Sequence, residues 1–213
     1  MTAPVRAPAQ RPLRYVALGD SYTIGTAVEG PDATWPDQLV ERCRAGDGAP
    51  LLELVANLGV NGFTSRDVIE QELPRLAPLE PEFMSILVGV NDVVQGVPIE
   101  TYEANAATIL DALLEHLPPR RIVALSTPDY TVTPQGADYG DPVAQAAGIR
   151  VVNGVFVRLA AERAVAMVDV HDLSLLAASD RSLVADDGLH PSAAQYGLWV
   201  DRCVPTVVDL LRR

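Results

Sequence analysis

Short apolar runs alternate along this chain with longer stretches in which apolar residues recur every three or four positions. The runs Arg14–Leu18, Leu51–Asn57, Phe83–Val88, Arg121–Ser126 and Val165–Val170 are too short for stable helices and are predicted as strands. Their near-continuous apolarity is that of strands buried on both faces. Between and after them, Trp35–Arg44, Thr64–Leu76, Ile99–Leu117, Pro142–Arg163 and Ser192–Arg213 carry helical spacing. Thr34 is placed to cap the first of these, with Pro36 in its first turn. Thr64 or Ser65 starts the second, and Pro118-Pro119 ends the third. Thr127–Asp141, punctuated by Pro, Gly and Asp, is predicted as a long polar loop. Strands alternating with helices predict an α/β fold, a five-stranded parallel sheet covered on both faces. One domain is expected over residues 13–213, after a short disordered arm, 1–12, rich in Pro, Ala and Arg.

Composition narrows the function classes. The chain has 213 residues, 48% hydrophobic and 21% charged, with a net charge of −12. Binding phosphates requires clustered positive charge, so a nucleic-acid partner is not expected. All 16 basic residues are Arg. Without lysine there is no Walker-type phosphate loop, no Schiff base and no Ser–Lys dyad. No continuous apolar run approaches the roughly 18 residues of a membrane span. The first 14 residues have no apolar core of a secretory signal, so a cytoplasmic location is expected. Cys43 and Cys203 are far apart in sequence; they are expected as core thiols, with a disulfide between them left open. Oligomeric state is also open, a homo-oligomer included.

In a parallel sheet, functional groups collect in the loops at the carboxyl ends of the strands. Gly19-Asp20-Ser21-Tyr22 follows the first predicted strand, Asn57 to Thr64 the second, and Gly89-Val90-Asn91-Asp92 the third. Asp186-Asp187-Gly188-Leu189-His190-Pro191 lies between the fifth strand and the last helix. A lone Gly-Asp-Ser arises by chance in about one chain in twenty of this length. Four such segments, in order and at strand ends, are much harder to produce by accident.

From Gly19 to Pro191 these segments resemble the four signature blocks of the SGNH, or GDSL-type, hydrolases. The resemblance implies a flavodoxin-like three-layer α/β/α sandwich and hydrolysis of esters or thioesters without metal or cofactor. It makes Ser21 the nucleophile, Asp187 and His190 the rest of a triad, and Ser21, Gly62 and Asn91 the oxyanion hole. Gly59 competes for the glycine role; Gly62 is preferred because it ends the stretch from Asn57 just before a polar pair. Only the loop Thr127–Asp141 has no counterpart in the blocks.

The chemistry suits these residue types. A serine hydroxyl attacks a carbonyl only when an imidazole removes its proton. A carboxylate three residues from that imidazole can hold its tautomer. The tetrahedral oxyanion needs preorganised donors, which a loop glycine N–H and an Asn amide supply without adding charge. The chain lacks G-x-S-x-G, so the elbow of the α/β-hydrolases is not available. An ester, with preference for acetyl or short acyl groups, is the expected substrate; a thioester or a lysophospholipid is the alternative. Two other classes compete: metal-assisted hydrolysis by Asp20, Asp92, Asp169, His171 and His190, and a non-catalytic binding module. Taken singly, Asp187–His190 reads as a capped turn, Asn91-Asp92 as a turn, and His116 as a cation at a helix end. Asp20 reads as a turn-fixing residue, and Trp35 and Trp199 as core.

Overall fold

The computed structural model describes residues 11–30, 33–46 and 51–212. Five strands form one sheet: β1 (Leu13–Gly19), β2 (Leu52–Asn57), β3 (Phe83–Leu87), β4 (Ile122–Leu125) and β5 (Ala166–Val168). All neighbours are parallel, in the order β2-β1-β3-β4-β5, the flavodoxin-like order. The helices in chain order are α1 (Ser21–Ile24), α2 (Trp35–Ala45), α3 (Ser65–Asp67), α4 (Leu76–Leu79), α5 (Val90–Val94) and α6 (Ile99–His116). They are followed by α7 (Pro142–Glu162), α8 (His171–Ser174) and α9 (Ala193–Arg212). The last predicted residue of the closing helix, Arg213, and residues 1–10 of the predicted arm lie outside the described residues. Arg11 is described, and its guanidinium makes a two-pronged bond to the Glu82 carboxylate, at 2.6 and 2.7 Å.

Alternation along the strands builds the two sides of the sandwich. Tyr15 and Ala17 of β1, Phe83 and Leu87 of β3, and Val123 and Leu125 of β4 share a core with Leu39 and Cys43 of α2 and Trp199 and Cys203 of α9. The intervening Val16, Leu18, Met84, Ile86, Ile122 and Ala124 face the opposite core, with Ile109 and Leu113 of α6 and Phe156 and Leu159 of α7. Strands buried on both faces in this way are those of a sheet covered by helices on both sides. Both cysteines are free thiols in the core between α2 and α9.

The predicted helix 64–76 is not one regular helix. It opens on a capping box, in which Thr64 and Asp67 bond each other's backbone, and continues through one wide π turn, Val68–Glu72. A 3₁₀ turn at Leu73–Arg75, holding Pro74, leads into α4. Among the described residues only α7 is long and apolar enough, by length and composition, to cross a membrane. Arg150, Asn153 and Arg158 interrupt its apolar sequence, which is why no continuous run flagged it. One side of α7 is buried on the sheet through Ile149, Val152, Phe156 and Leu159.

Helix α9 is seated by Trp199, fully buried and edge-on to Tyr196 (5.1 Å) and Tyr22 (6.2 Å). Trp199→Ala removes that contact and leaves a large cavity, so stability should fall by roughly 3–5 kcal/mol. Urea or thermal unfolding measures it; a loss below about 1 kcal/mol, less than one or two buried methylenes are worth, would contradict this seating.

Candidate active site

The strand order reverses between β1 and β3, and there the loops that follow them part to leave a crevice. At the end of β1, Gly19 has φ +144°, and a Cβ on it would lie 2.1 Å from the Leu87 carbonyl oxygen. Only glycine fits there. Asp20 caps α1, its Oδ1 accepting the Tyr22 N–H at 3.0 Å. Ser21 is thereby the first helical residue, 7% exposed.

The loop after β2 is pinned to this turn. Asn57 Nδ2 donates to the Thr23 carbonyl (2.7 Å) and Oδ1 accepts the Gly59 N–H (3.1 Å). Farther along, the Asn61 side chain is bonded to Thr26. Gly62 follows with φ +80°, its carbonyl accepting from Gln95 Nε2 at 3.1 Å. The β3 segment is tied to the same loop. Asn91 Nδ2 donates to the Phe63 carbonyl (2.9 Å), and the buried Asp92 accepts Ser65 N–H (2.9 Å) and Oγ–H (2.5 Å). Burial pushes the Asp92 carboxyl up, with the Ser65 bonds opposing it.

The fourth segment forms a closed turn. Asp187 Oδ2 lies 2.6 Å from His190 Nδ1, while Oδ1 accepts the N–H groups of Leu189 and His190, each at 2.9 Å. Partial burial would raise the Asp187 carboxyl; the bonds from the His190 ring and the two amides outweigh it and hold the group below its ordinary value. The turn is fastened by an antiparallel bridge between Val184 and Pro191 and by the Gln135 N–H on the Gly188 carbonyl (3.0 Å). The His190 ring packs edge-on to Tyr22, centroids 5.8 Å apart.

Ser21, Gly62, Asn91 and His190 all line one cleft of about 270 Å³, with Asp187 behind the imidazole. Tyr22, Val90 and Val94 line it too, as do Tyr130 and Tyr139, edge-on to each other, from the loop after β4. The sequence carried no signal for these two tyrosines. Gly59 does not line the cleft: it lies against α1, where a Cβ would be 2.7 Å from the Ile24 nitrogen. The alternative ligand set is dispersed. Asp169 accepts from Ser126 Oγ (2.7 Å) and the His171 N–H (3.0 Å), while Asp92 is bonded to Ser65 and Asp20 to the Tyr22 N–H. Among the described residues no three His, Cys, Asp or Glu side chains converge as a metal site would require. His116 sits in the last turn of α6. A buried Glu72 that bonds Gly19 N–H (2.9 Å) went unread, although its place on the inward stripe between Val68 and Leu76 marks it as anomalous.

The model of the GDSL-like Lipase/Acylhydrolase family matches residues 17–198. No curated protein matches the chain. Among solved structures, LAE5, an alpha/beta hydrolase from the metagenome of Lake Arreo, Spain, superposes with TM-score 0.71 at 21% identity, covering 93% of this chain and 96% of that one. TesA superposes with TM-score 0.70 at 21% identity, over 92% and 99%. Axe2, an acetylxylan esterase from Geobacillus stearothermophilus, gives 0.68 at 19% identity, over 92% and 94%. At these identities the likeness is one of fold.

The two glycines should separate experimentally. Gly59→Ala drives a methyl into the α1 backbone, which does not move cheaply, and should cost about 1–3 kcal/mol of stability. Gly62→Ala meets open space and only the strain of a left-handed residue, about 1 kcal/mol. Thermal unfolding of the pair checks this; a larger loss for Gly62→Ala would reverse their assigned roles.

Proposed function

Because the chain belongs to the GDSL-like lipase/acylhydrolase family and is a carboxylic ester hydrolase, we propose that Ser21, His190 and Asp187 act as its catalytic triad. The observation that carries this is the shared cleft: Ser21 and His190 line it together, and the Nδ1 of that imidazole is bonded to Asp187 at 2.6 Å. Asp187 accepts a hydrogen bond from the Nδ1–H, which leaves Nε2 as the basic nitrogen. Ser21 Oγ attacks the ester carbonyl while His190 Nε2 takes its proton. The negative oxygen that forms is bonded by the N–H of Ser21, the N–H of Gly62 and Nδ2 of Asn91. One Asn91 amide hydrogen is already spent on the Phe63 carbonyl, which fixes the plane of the amide and aims the other hydrogen. The intermediate collapses as His190 returns the proton to the departing alcohol oxygen. Water, deprotonated by the same imidazole, then releases the acid and regenerates Ser21.

The preferred substrate in this reading is an ester of a short acyl or acetyl group. A cleft of about 270 Å³ walled by Tyr130, Tyr139 and Val94 supports it, since long chains need a longer apolar channel.

Ser21→Ala should keep its fold and lose several orders of magnitude in kcat. A fluorophosphonate should add a single mass, on a peptide containing Ser21; a label elsewhere, or full activity of the variant, would sink the assignment. Asn91→Ala should lower kcat by about 10²–10³ with little change in KM. A raised KM at constant kcat would make Asn91 a ground-state binding residue instead.

Across p-nitrophenyl esters, with acyl-CoA and acetylated sugars alongside, kcat/KM should be highest for acetyl or butanoyl groups. Faster turnover of dodecanoyl than of acetyl esters refutes the short-chain reading and leaves the triad untouched.

A further inference from the structure

Beneath the Gly19–Ser21 turn lie two carboxyl side chains for which the proposed chemistry has no use. Asp20 is fully buried and Glu72 is 1% exposed. They come from different parts of the fold, Asp20 from the end of β1 and Glu72 from the last residue of the π turn. Each spends one oxygen on the nucleophile turn: Asp20 Oδ1 accepts the Tyr22 N–H (3.0 Å), and Glu72 Oε2 accepts the Gly19 N–H (2.9 Å). The other oxygens, Asp20 Oδ2 and Glu72 Oε1, are buried with no hydrogen-bond partner among the described residues. Val68, Glu72 and Leu76 form one buried stripe, so an aliphatic residue at position 72 would satisfy the core. A carboxyl there is costly to bury. A π turn is rare and tends to mark functional sites.

We propose that Glu72 is a positioning residue for the nucleophile: from the wide turn of its helix it holds the Gly19 amide, and so fixes the backbone that presents Ser21. The amide it holds belongs to the one residue that Leu87 prevents from carrying a side chain. Without Glu72 that N–H is buried and unbonded, and Gly19, with no Cβ, is the residue with most freedom to swing. A swing there displaces Ser21 Oγ and its N–H together.

The pair also carries protons. Burial pushes the Asp20 carboxyl to about 8, against the Tyr22 bond, and Asp92 raises it further. Burial likewise pushes Glu72 to about 9, opposed by the Gly19 N–H and raised by Asp20. The other titratable groups facing the pair are Asp67 and Arg75 beside Glu72, Asp92 from α5, and Tyr22, Tyr102 and Tyr196 around Asp20. Raised in this way, both carboxyls favour the protonated form at neutral pH. The folded chain therefore holds protons that the unfolded chain releases at ordinary carboxyl values, near pH 4. Stability falls as pH rises from there toward about 9.

The activity readout rests on Ser21 being the nucleophile; the stability readout does not. Glu72→Gln keeps a neutral acceptor for Gly19 N–H and cannot ionise. It should retain kcat within about threefold at pH 7, and its Tm should fall less than wild type between pH 6 and 9. Glu72→Ala should lower kcat about 10–100-fold with KM nearly unchanged, the loss expected of a nucleophile displaced by a fraction of an ångström to one ångström. Unchanged kcat in Glu72→Ala, equal losses in Gln and Ala, or identical Tm–pH curves for wild type and Glu72→Gln would each overturn the proposal. If Glu72→Ala does not fold, Glu72→Leu, which fills the apolar stripe without accepting the Gly19 N–H, takes its place. The same loss of kcat, about 10–100-fold, is then expected, and an unchanged kcat overturns the proposal. Ser21→Ala, assayed in parallel, reports separately on the nucleophile.

Discussion

The closeness of β1 and β3 at the point where the strand order reverses governs the rest of the site. The two strands pair from Tyr15↔Phe83 to Gly19↔Leu87, and at the last pair the Leu87 carbonyl occupies the space of a side chain on Gly19. Because β1 ends against its neighbour in this way, the chain turns immediately, and Ser21 begins a helix at the lip of the crevice. The same reversal sends α2 and α9 to one face of the sheet and α6 and α7 to the other. The loops at that edge are therefore anchored from both faces of the sheet.

What keeps those loops in register is a set of side-chain bonds to backbone rather than apolar packing. Asn57 ties the second loop to α1, Asn91 and Asp92 tie it to the third, and Gln95 reaches back to Gly62. Such bonds are directional and most are at least partly buried, so each member has few alternative arrangements. The Asn91 amide and the Gly62 loop are thus held in place by the chain itself, the preorganisation on which electrostatic stabilisation of a transition state depends.

The sheet was legible because its strands are buried on both faces and so read as short apolar runs in the sequence. Their ends shifted by a residue or two, as at β5, which covers Ala166–Val168 rather than Val165–Val170. The blocks around Ser21, Gly62, Asn91 and His190 were legible because each follows a strand or stands in one tight turn. Helices of four or five residues, such as α1, α5 and α8, are too short to express a period. The stretch 64–76 kept its apolar spacing while its backbone changed from α to π to 3₁₀, a change that Pro74 and the inward Glu72 accompany. Tyr130 and Tyr139 reach the cleft through the tertiary path of a loop whose own sequence has no periodicity.

The turn that joins Asp187 to His190 closes almost entirely on itself: carboxylate, imidazole and two amides are bonded within four consecutive residues. The pair therefore behaves as a single rigid cassette whose internal geometry is local, and the fold has only to dock that cassette against the end of β1. Its fastenings are few, and one of them, the Gln135 amide on the Gly188 carbonyl, comes from the same loop that supplies Tyr130 and Tyr139 to the cleft wall. One loop thus both lines the cleft and bonds the turn that carries the imidazole. A ligand that presses on Tyr130 or Tyr139 therefore bears on a loop that also holds, through Gln135, the turn that carries the imidazole.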